Sequence, residues 1–235
     1  MKCWIFIAFI ILSFPFAVLF WLWWKIPSES EIRGCIKTKM FQVDLCPKNP
    51  NYVKLRDISP YLQKAVVASE DSLFWQHSGF DWESIKRNYE ENKKAGRYRR
   101  GGSTITQQLA KNMFLTSEKT LIRKGLEAII TLRIEKYLSK KEILERYLNA
   151  IEFGNGIYGV KKASLHYFKK SPSQLTLVES AFLVMLLPNP KKYSASFYKK
   201  ELSPFATKRI RQIVSNLYQF QRINEADYAN ALVEL

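Results

Sequence analysis

The chain has 235 residues, with 37 lysines and arginines against 21 aspartates and glutamates, and a formal net charge of +16. This balance indicates an anionic partner such as nucleic acid, lipid headgroups or a phosphorylated substrate. With His77 and His166 as the only two histidines, a histidine metal cluster or a Ser-His-Asp site is disfavoured.

The first element is a run without charged residues from Trp4 to Trp24. As a helix it would rise about 31 Å, which matches a hydrocarbon core of about 30 Å. A cleavable signal peptide is the alternative, but its apolar part spans only about 7 to 15 residues. We therefore predict a membrane anchor at 1–25, a juxtamembrane linker at 26–56 and one soluble domain at 57–235. An anchor favours a lipid or phosphorylated partner over nucleic acid.

Two cysteines, Cys35 and Cys46, lie in the predicted soluble part. They would form a disulfide in an exported protein and stay free thiols otherwise. The sequence leaves both states open. The residues from Gly34 to Leu45 have mild strand character.

Helical patterns occupy most of the remaining chain, so we predict a mainly α fold. The basic stretch Lys93 to Arg100 is either a solvated loop or a loop in contact with lipid headgroups. The predicted helices are 60–70, 82–94, 104–115, 120–138, 142–150, 159–168, 176–187, 204–221 and 225–232.

The third predicted helix follows two glycines, with Ser103 or Thr104 as its N-cap. Helical spacing places a hydroxyl, two amides and an ammonium on one face and apolar side chains on the other. Each glutamine amide offers two donors and one acceptor oxygen, which suits a sugar ligand. The alternative is an ordinary solvated face. The polar residues of this face are Thr104, Gln107, Gln108 and Lys111.

The adjacent acids Glu70 and Asp71 follow an apolar helix, at the end where the helix dipole favours cations. Partial burial there would raise the pKa of Glu70 toward that of a general base. The alternative is a plain polar helix end, with His77 packed under Phe74.

Arg123 and Glu127 are four residues apart and share a helix face. A surface ion pair explains this spacing without any function. If the face lines a cleft, Arg123 and Lys111 would neutralise a diphosphate. Glu127 would then hold a divalent cation or orient the guanidinium.

In their order along the chain, these stretches resemble the motifs of the peptidoglycan glycosyltransferases (glycosyltransferase family 51). The resemblance covers roughly 55–194, and the absence of acyl-transfer motifs favours the single-domain form. The four motifs are Glu70 to Gly79, Gly101 to Asn112, Arg123 to Glu127 and Lys141 to Asn149.

The resemblance implies a lysozyme-like helical domain on a single transmembrane helix, facing outward at the bacterial cytoplasmic (inner) membrane. It implies polymerisation of lipid II for cell wall synthesis and cell shape. The 4-hydroxyl of one lipid II attacks the anomeric carbon of the growing glycan chain, and polyprenyl diphosphate leaves with inversion. Implied partners are lipid II, the glycan chain, membrane lipids and other cell wall synthesis or division proteins, with no nucleic acid.

The resemblance also assigns roles to single residues. Glu70 is the general base, and Glu127 is the second carboxylate, which assists the departing diphosphate together with a divalent cation, Mg²⁺ or Mn²⁺. Glu145, Tyr147 and Asn149 are expected to be structural. The expected substrate-binding residues are Asp71, Phe74, His77, Ser103, Thr104, Gln107, Gln108, Lys111, Asn112 and Arg123.

Two other functions stay open at this stage. A lytic muramidase also uses a glutamate on a helical fold, but it cleaves finished glycan. A non-enzymatic anchored module would bind anionic lipid or nucleic acid by charge alone.

Overall fold

The computed structural model describes residues 25–96, 102–199 and 202–235. The predicted anchor from Trp4 to Trp24 and the second half of the basic stretch Lys93 to Arg100 lie outside these residues. Among the described helices, none combines the length and the apolar character needed to cross a bilayer.

The described residues are mainly helical, which confirms the predicted fold class. A two-stranded antiparallel ribbon, β1 (Glu152–Gly154) and β2 (Ile157–Tyr158), interrupts the helices. The helices are α1 (Glu29–Arg33), α2 (Pro60–Glu70), α3 (Trp82–Lys94), α4 (Ile105–Phe114), α5 (Leu121–Tyr137), α6 (Lys140–Ala150), α7 (Val160–Phe168), α8 (Leu177–Leu186), α9 (Pro190–Tyr193), α10 (Pro204–Gln219) and α11 (Glu225–Glu234).

Side-chain caps fix where several helices begin. Ser139 and Glu142 form the predicted capping box, with the Ser139 N–H donating to Glu142 Oε2 over 2.8 Å. Because Ser139 is the cap itself, α6 begins at Lys140, two residues before the predicted start. Thr104 caps α4 and Thr120 caps α5 in the same way, by accepting a backbone N–H on the hydroxyl oxygen.

The core forms around two packed groups of helices. Helix α4 packs between α5 and α6, and α2 packs against α8 and α10. Ile105, Leu109 and Met113 of α4 are completely buried. Helix α4 is therefore an interior element with neighbours on several sides.

The N-terminal stretch from residue 29 to residue 56 belongs to the folded domain. Ile32 and Leu45 are completely buried in the core. The Lys39 N–H donates to the Met113 carbonyl over 3.0 Å, and the Arg146 guanidinium donates to the Arg33 carbonyl over 2.6 Å. This stretch was expected to be a linker, but its contacts tie it to α4 and α6.

Cys35 and Cys46 are joined by a disulfide, which settles the open question from the sequence. The bond closes a small hairpin that also contains the backbone bridge between Lys37 and Asp44. Since this hairpin bonds to the last turn of α4, the disulfide restrains the residues that cover that end of the helix.

We expect replacement of both cysteines, Cys35→Ala with Cys46→Ala, to lower the free energy of unfolding by about 2–3 kcal/mol, because a short covalent loop is lost from the unfolded chain. Urea denaturation of the full chain in detergent measures this. A reductant should destabilise the unmodified protein by a similar amount and leave the double variant unchanged. Equal stability of the oxidised protein and the double variant would contradict a structural role for the bond.

Candidate active site

Glu70 is the last residue of α2 and is half-buried. Burial raises the pKa of its carboxyl, and the neighbouring Asp71 raises it further. A hydrogen bond from Gln108 acts in the opposite direction. The pKa of the Glu70 carboxyl is therefore raised, which is the direction that a general base requires.

Gln108 lies on α4 and contacts Glu70 directly. Its Nε2 donates to Glu70 Oε2 over 2.9 Å. Its other amide end accepts from the Tyr147 hydroxyl, with 3.1 Å between that oxygen and Gln108 Oε1. The Gln108 amide, which was predicted to bind sugar, is therefore hydrogen-bonded to the candidate base.

Asp71 and His77 connect the turn after α2 to the start of α4. The buried Asp71 accepts from Ile105 N over 3.0 Å and pairs with His77 Nε2 over 2.8 Å. The Gly79 N–H donates to His77 Nδ1 over 3.2 Å, so the proton of a neutral imidazole lies on Nε2, toward Asp71. These bonds set the position of Glu70 relative to α4.

Thr104 and Gln107 hold the start of α4. Gln107 Oε1 accepts the Thr104 N–H over 3.0 Å, and the Thr104 hydroxyl donates to the Gly79 carbonyl over 2.7 Å. Both side chains are buried. The predicted polar face is thus turned inward at this end of the helix, where it has a capping role.

Three other expected binding residues differ in exposure. Phe74 has no exposed surface, and the Lys140 ammonium lies 4.6 Å from its ring centre. Phe74 therefore packs inside the protein, and its expected contact with substrate stays a prediction. Asn112 is buried near the end of α4. Ser103 is exposed, with its Oγ 3.4 Å from Lys124 Nζ.

The second carboxylate, Glu127, is only 3 % exposed and carries two cationic partners from its own helix α5. Arg123 Nη1 donates to Glu127 Oε2 over 2.6 Å, and Lys124 Nζ donates to Glu127 Oε1. The remaining Arg123 Nε is buried without a hydrogen-bond partner among the described residues. A buried N–H group without a partner is unusual in a folded protein.

Lys124 was not assigned a role from the sequence. Lys124 is three residues from Glu127, so it can reach the same helix face as Glu127 and Arg123. This spacing is the signal in the sequence that indicates the contact. The structure makes it a direct partner of Glu127.

Lys111 extends this cluster from the neighbouring helix α4. The side chain is half-buried, and burial lowers the pKa of its ammonium. Glu127 raises that pKa, while Arg123 and Lys124 lower it further. Two cations therefore contact Glu127 and a third interacts with it electrostatically, and the excess positive charge suits a diphosphate.

Helix α4 brings the two carboxylates to one region. Gln108 touches Glu70, and Lys111 lies within the electrostatic influence of Glu127. Gln108 and Lys111 are three residues apart, so they lie on neighbouring positions of one helix face, with Cβ atoms about 5–6 Å apart. Glu70 and Glu127 thus interact with positions of α4 that are about one helical turn apart.

The predicted divalent cation is not matched by a ready-made site. In the described part of the chain, no three His, Cys, Asp or Glu residues converge as metal ligands. Both oxygens of Glu127 already accept from cationic side chains. A divalent cation at Glu127 would share this carboxylate with two cationic side chains, whose charge opposes its binding, so these residues do not fit Mg²⁺ or Mn²⁺ as arranged.

The transglycosylase family model matches residues 38–218. This match covers most of the chain, including Glu70, Glu127 and the three cationic residues Lys111, Arg123 and Lys124.

The chain belongs to the transglycosylase family.

Proteins named biosynthetic peptidoglycan transglycosylase are similar over much of their length. The one from Mannheimia succiniciproducens is 53 % identical over 148 residues, which are 63 % of this chain and 60 % of that relative. The one from Acinetobacter baylyi is 44 % identical over 190 residues, 78 % of this chain and 84 % of the relative. The one from Nitrosospira multiformis is 37 % identical over 200 residues, 85 % of each.

We expect Lys124→Gln to weaken the binding of inorganic pyrophosphate roughly ten-fold at low salt, because one charge-assisted hydrogen bond to the anion is lost. Isothermal titration calorimetry on the full chain in detergent measures the affinity. Lys208→Gln, which removes an exposed ammonium from α10, is the matched control and should bind like the unmodified protein. Equal affinities of the two variants would rule out a phosphate contact by Lys124.

Proposed function

We propose that this transglycosylase polymerises lipid II into glycan strands, with Glu70 as general base and the Lys111, Arg123 and Lys124 cluster as the site of the diphosphate. The observation that carries the proposal is the position of α4, whose Gln108 touches one carboxylate while Lys111 interacts with the other. The relatives' shared name and the excess of positive charge support the same reaction class.

The proton transfer belongs to Glu70. Its ionised carboxylate accepts the proton of the 4-hydroxyl of the incoming lipid II as the oxygen attacks the anomeric carbon of the growing chain. A raised pKa makes this carboxylate a better proton acceptor than an ordinary exposed glutamate. The new bond joins the hydroxyl oxygen to the anomeric carbon.

The leaving group belongs to the cations. As the bond from the anomeric carbon to the diphosphate breaks, its electron pair stays on the diphosphate oxygen. Arg123 and Lys124 on α5 and Lys111 on α4 stabilise this developing charge. A diphosphate needs less protonation than a sugar hydroxyl, so cations replace the acid used by hydrolases.

Glu127 acts through these cations. It holds the Arg123 guanidinium and the Lys124 ammonium by direct hydrogen bonds, and a carboxylate in direct contact with a diphosphate would be repelled by it. We therefore assign Glu127 the role of orienting the phosphate-binding groups. A divalent cation would be carried by the substrate's own phosphates, and no step of this mechanism depends on it.

We further propose that residues 4–24 anchor a lysozyme-like domain in the cytoplasmic membrane, with the domain on its outer face. The length of the apolar run supports an anchor. The disulfide between Cys35 and Cys46 supports an oxidising compartment. A lipid substrate and membrane lipids are then close to the domain, and other cell wall synthesis or division proteins are further candidate partners.

The cation cluster favours a glycosyltransferase over a lytic muramidase. Hydrolysis of a finished glycan needs an acid to protonate the glycosidic oxygen, and its substrate carries no diphosphate at the reacting carbon. Three cations beside one buried carboxylate therefore favour transfer from a diphosphate donor.

We expect Glu70→Gln to abolish glycan formation without unfolding the protein. Folding raises the pKa of the Glu70 carboxyl, so its contribution to stability is present at low pH and is lost as the pH rises toward the folded value. At neutral pH the neutral glutamine should therefore leave the free energy of unfolding equal or higher. Labelled lipid II in detergent measures turnover, and urea denaturation measures stability.

Glu225→Gln, which removes an exposed carboxylate in the first turn of α11, is the control and should polymerise normally. Full activity of Glu70→Gln would contradict the assignment of the base.

We expect a bell-shaped dependence of kcat/KM on pH. The acidic side should follow Glu70, which must be ionised and has a raised pKa; the alkaline side should follow Lys111, which must be protonated and has a lowered pKa. Lys111→Arg should move the alkaline side to higher pH, because a guanidinium stays charged. An alkaline side that does not move would show that Lys111 is not the group responsible.

A further inference from the structure

We propose that Tyr147 is a positioning residue for the general base, because its hydroxyl holds the Gln108 amide in the orientation that keeps Glu70 ionised. The resemblance to the family implies only a structural role for this tyrosine. The proposal rests on the proposed function of Glu70.

The three residues come from three helices and form one hydrogen-bonded chain. Tyr147 lies on α6 and is 1 % exposed. Its hydroxyl donates to Gln108 Oε1 on α4 over 3.1 Å, and Gln108 Nε2 donates to Glu70 Oε2 at the end of α2 over 2.9 Å. Each link spans more than thirty residues of sequence, at 39 and 38 positions.

The tyrosine selects one of two amide orientations. A glutamine presents either its NH₂ group or its oxygen to a neighbour. The Tyr147 hydroxyl could also accept a hydrogen bond, but its buried hydrogen has the Gln108 oxygen as its acceptor among the described residues. Keeping that bond leaves the NH₂ group facing Glu70. The reversed amide would place its oxygen against the carboxylate, which only a protonated carboxyl can accommodate by donating a hydrogen bond.

This selection matters because the environment of Glu70 otherwise favours protonation. Burial and Asp71 raise the pKa of the carboxyl, and the Gln108 hydrogen bond counteracts them. The other charged groups near this pair are His77 and Lys140, which face Asp71. Helices α8 and α10 also pack on α2, and the side chains they bury are mainly apolar.

Tyr147→Phe keeps the buried ring and removes only the hydroxyl. The Gln108 oxygen then loses the hydrogen bond that holds the amide in one orientation. The carboxyl of Glu70 should therefore become easier to protonate. We expect its titration midpoint, and with it the acidic side of the kcat profile, to move up by about one pH unit. KM for lipid II should change little, since Tyr147 is buried behind Gln108.

The test uses the full chain in detergent micelles, with ¹³C-labelled glutamate and carboxyl NMR. Glu70→Gln identifies the Glu70 signal by its disappearance. The pH dependence of lipid II polymerisation is measured on the same samples. Tyr167→Phe is the matched control, since Tyr167 is also buried and donates to the Phe153 carbonyl over 2.9 Å; it should move neither quantity.

The outcomes separate the two proposals. A Glu70 signal that titrates in Tyr147→Phe as it does in the unmodified protein would overturn the role of Tyr147. A shifted signal with an unshifted activity profile would support Tyr147 as the positioning residue and contradict Glu70 as the base. If Tyr147→Phe does not fold, 4-fluorophenylalanine at position 147 fills the space of the hydroxyl without donating, and the same two readings apply.

Discussion

The proposed chemistry depends on a single buried helix, α4, whose polar side chains are bonded to groups on its neighbours. Gln108 bonds to Glu70 on α2, while Lys111 lies near the ion-paired Glu127 on α5. Burial makes each of these contacts matter, since a charge in the interior is costly unless it has a partner. The same packing that forms the core therefore also fixes the distance between the base and the cations.

The local features of this arrangement were predictable from the sequence, because they depend on residues close together in the chain. The capping box at Ser139 and the shared face of Arg123 and Glu127 follow from spacings of three and four residues. The inward direction of Thr104 and Gln107 was not predictable, since their exposure is decided by the whole of α4 being covered by other helices. A polar face looks the same in sequence whether water or protein covers it.

The contacts between distant parts of the chain were also not predictable from the sequence. Tyr147 meets Gln108 across 39 residues, and the stretch before residue 57 packs onto α4 and α6 through Ile32 and Leu45. No periodicity marks such pairs, and the residues from Gly34 to Leu45 show only mild strand character. The ordered motifs predict roles for Glu70 and Glu127, whereas the sharing of Glu127 between Arg123 and Lys124 is seen only in the structure.

The most direct test of the central claim is a crystal structure of the full chain with a non-hydrolysable lipid diphosphate analogue. The proposed mechanism predicts phosphate oxygens within hydrogen-bonding distance of Lys111, Arg123 and Lys124, and the sugar end directed toward Glu70. A diphosphate bound away from these three cations, or a sugar on the side of α4 remote from Glu70, would contradict it.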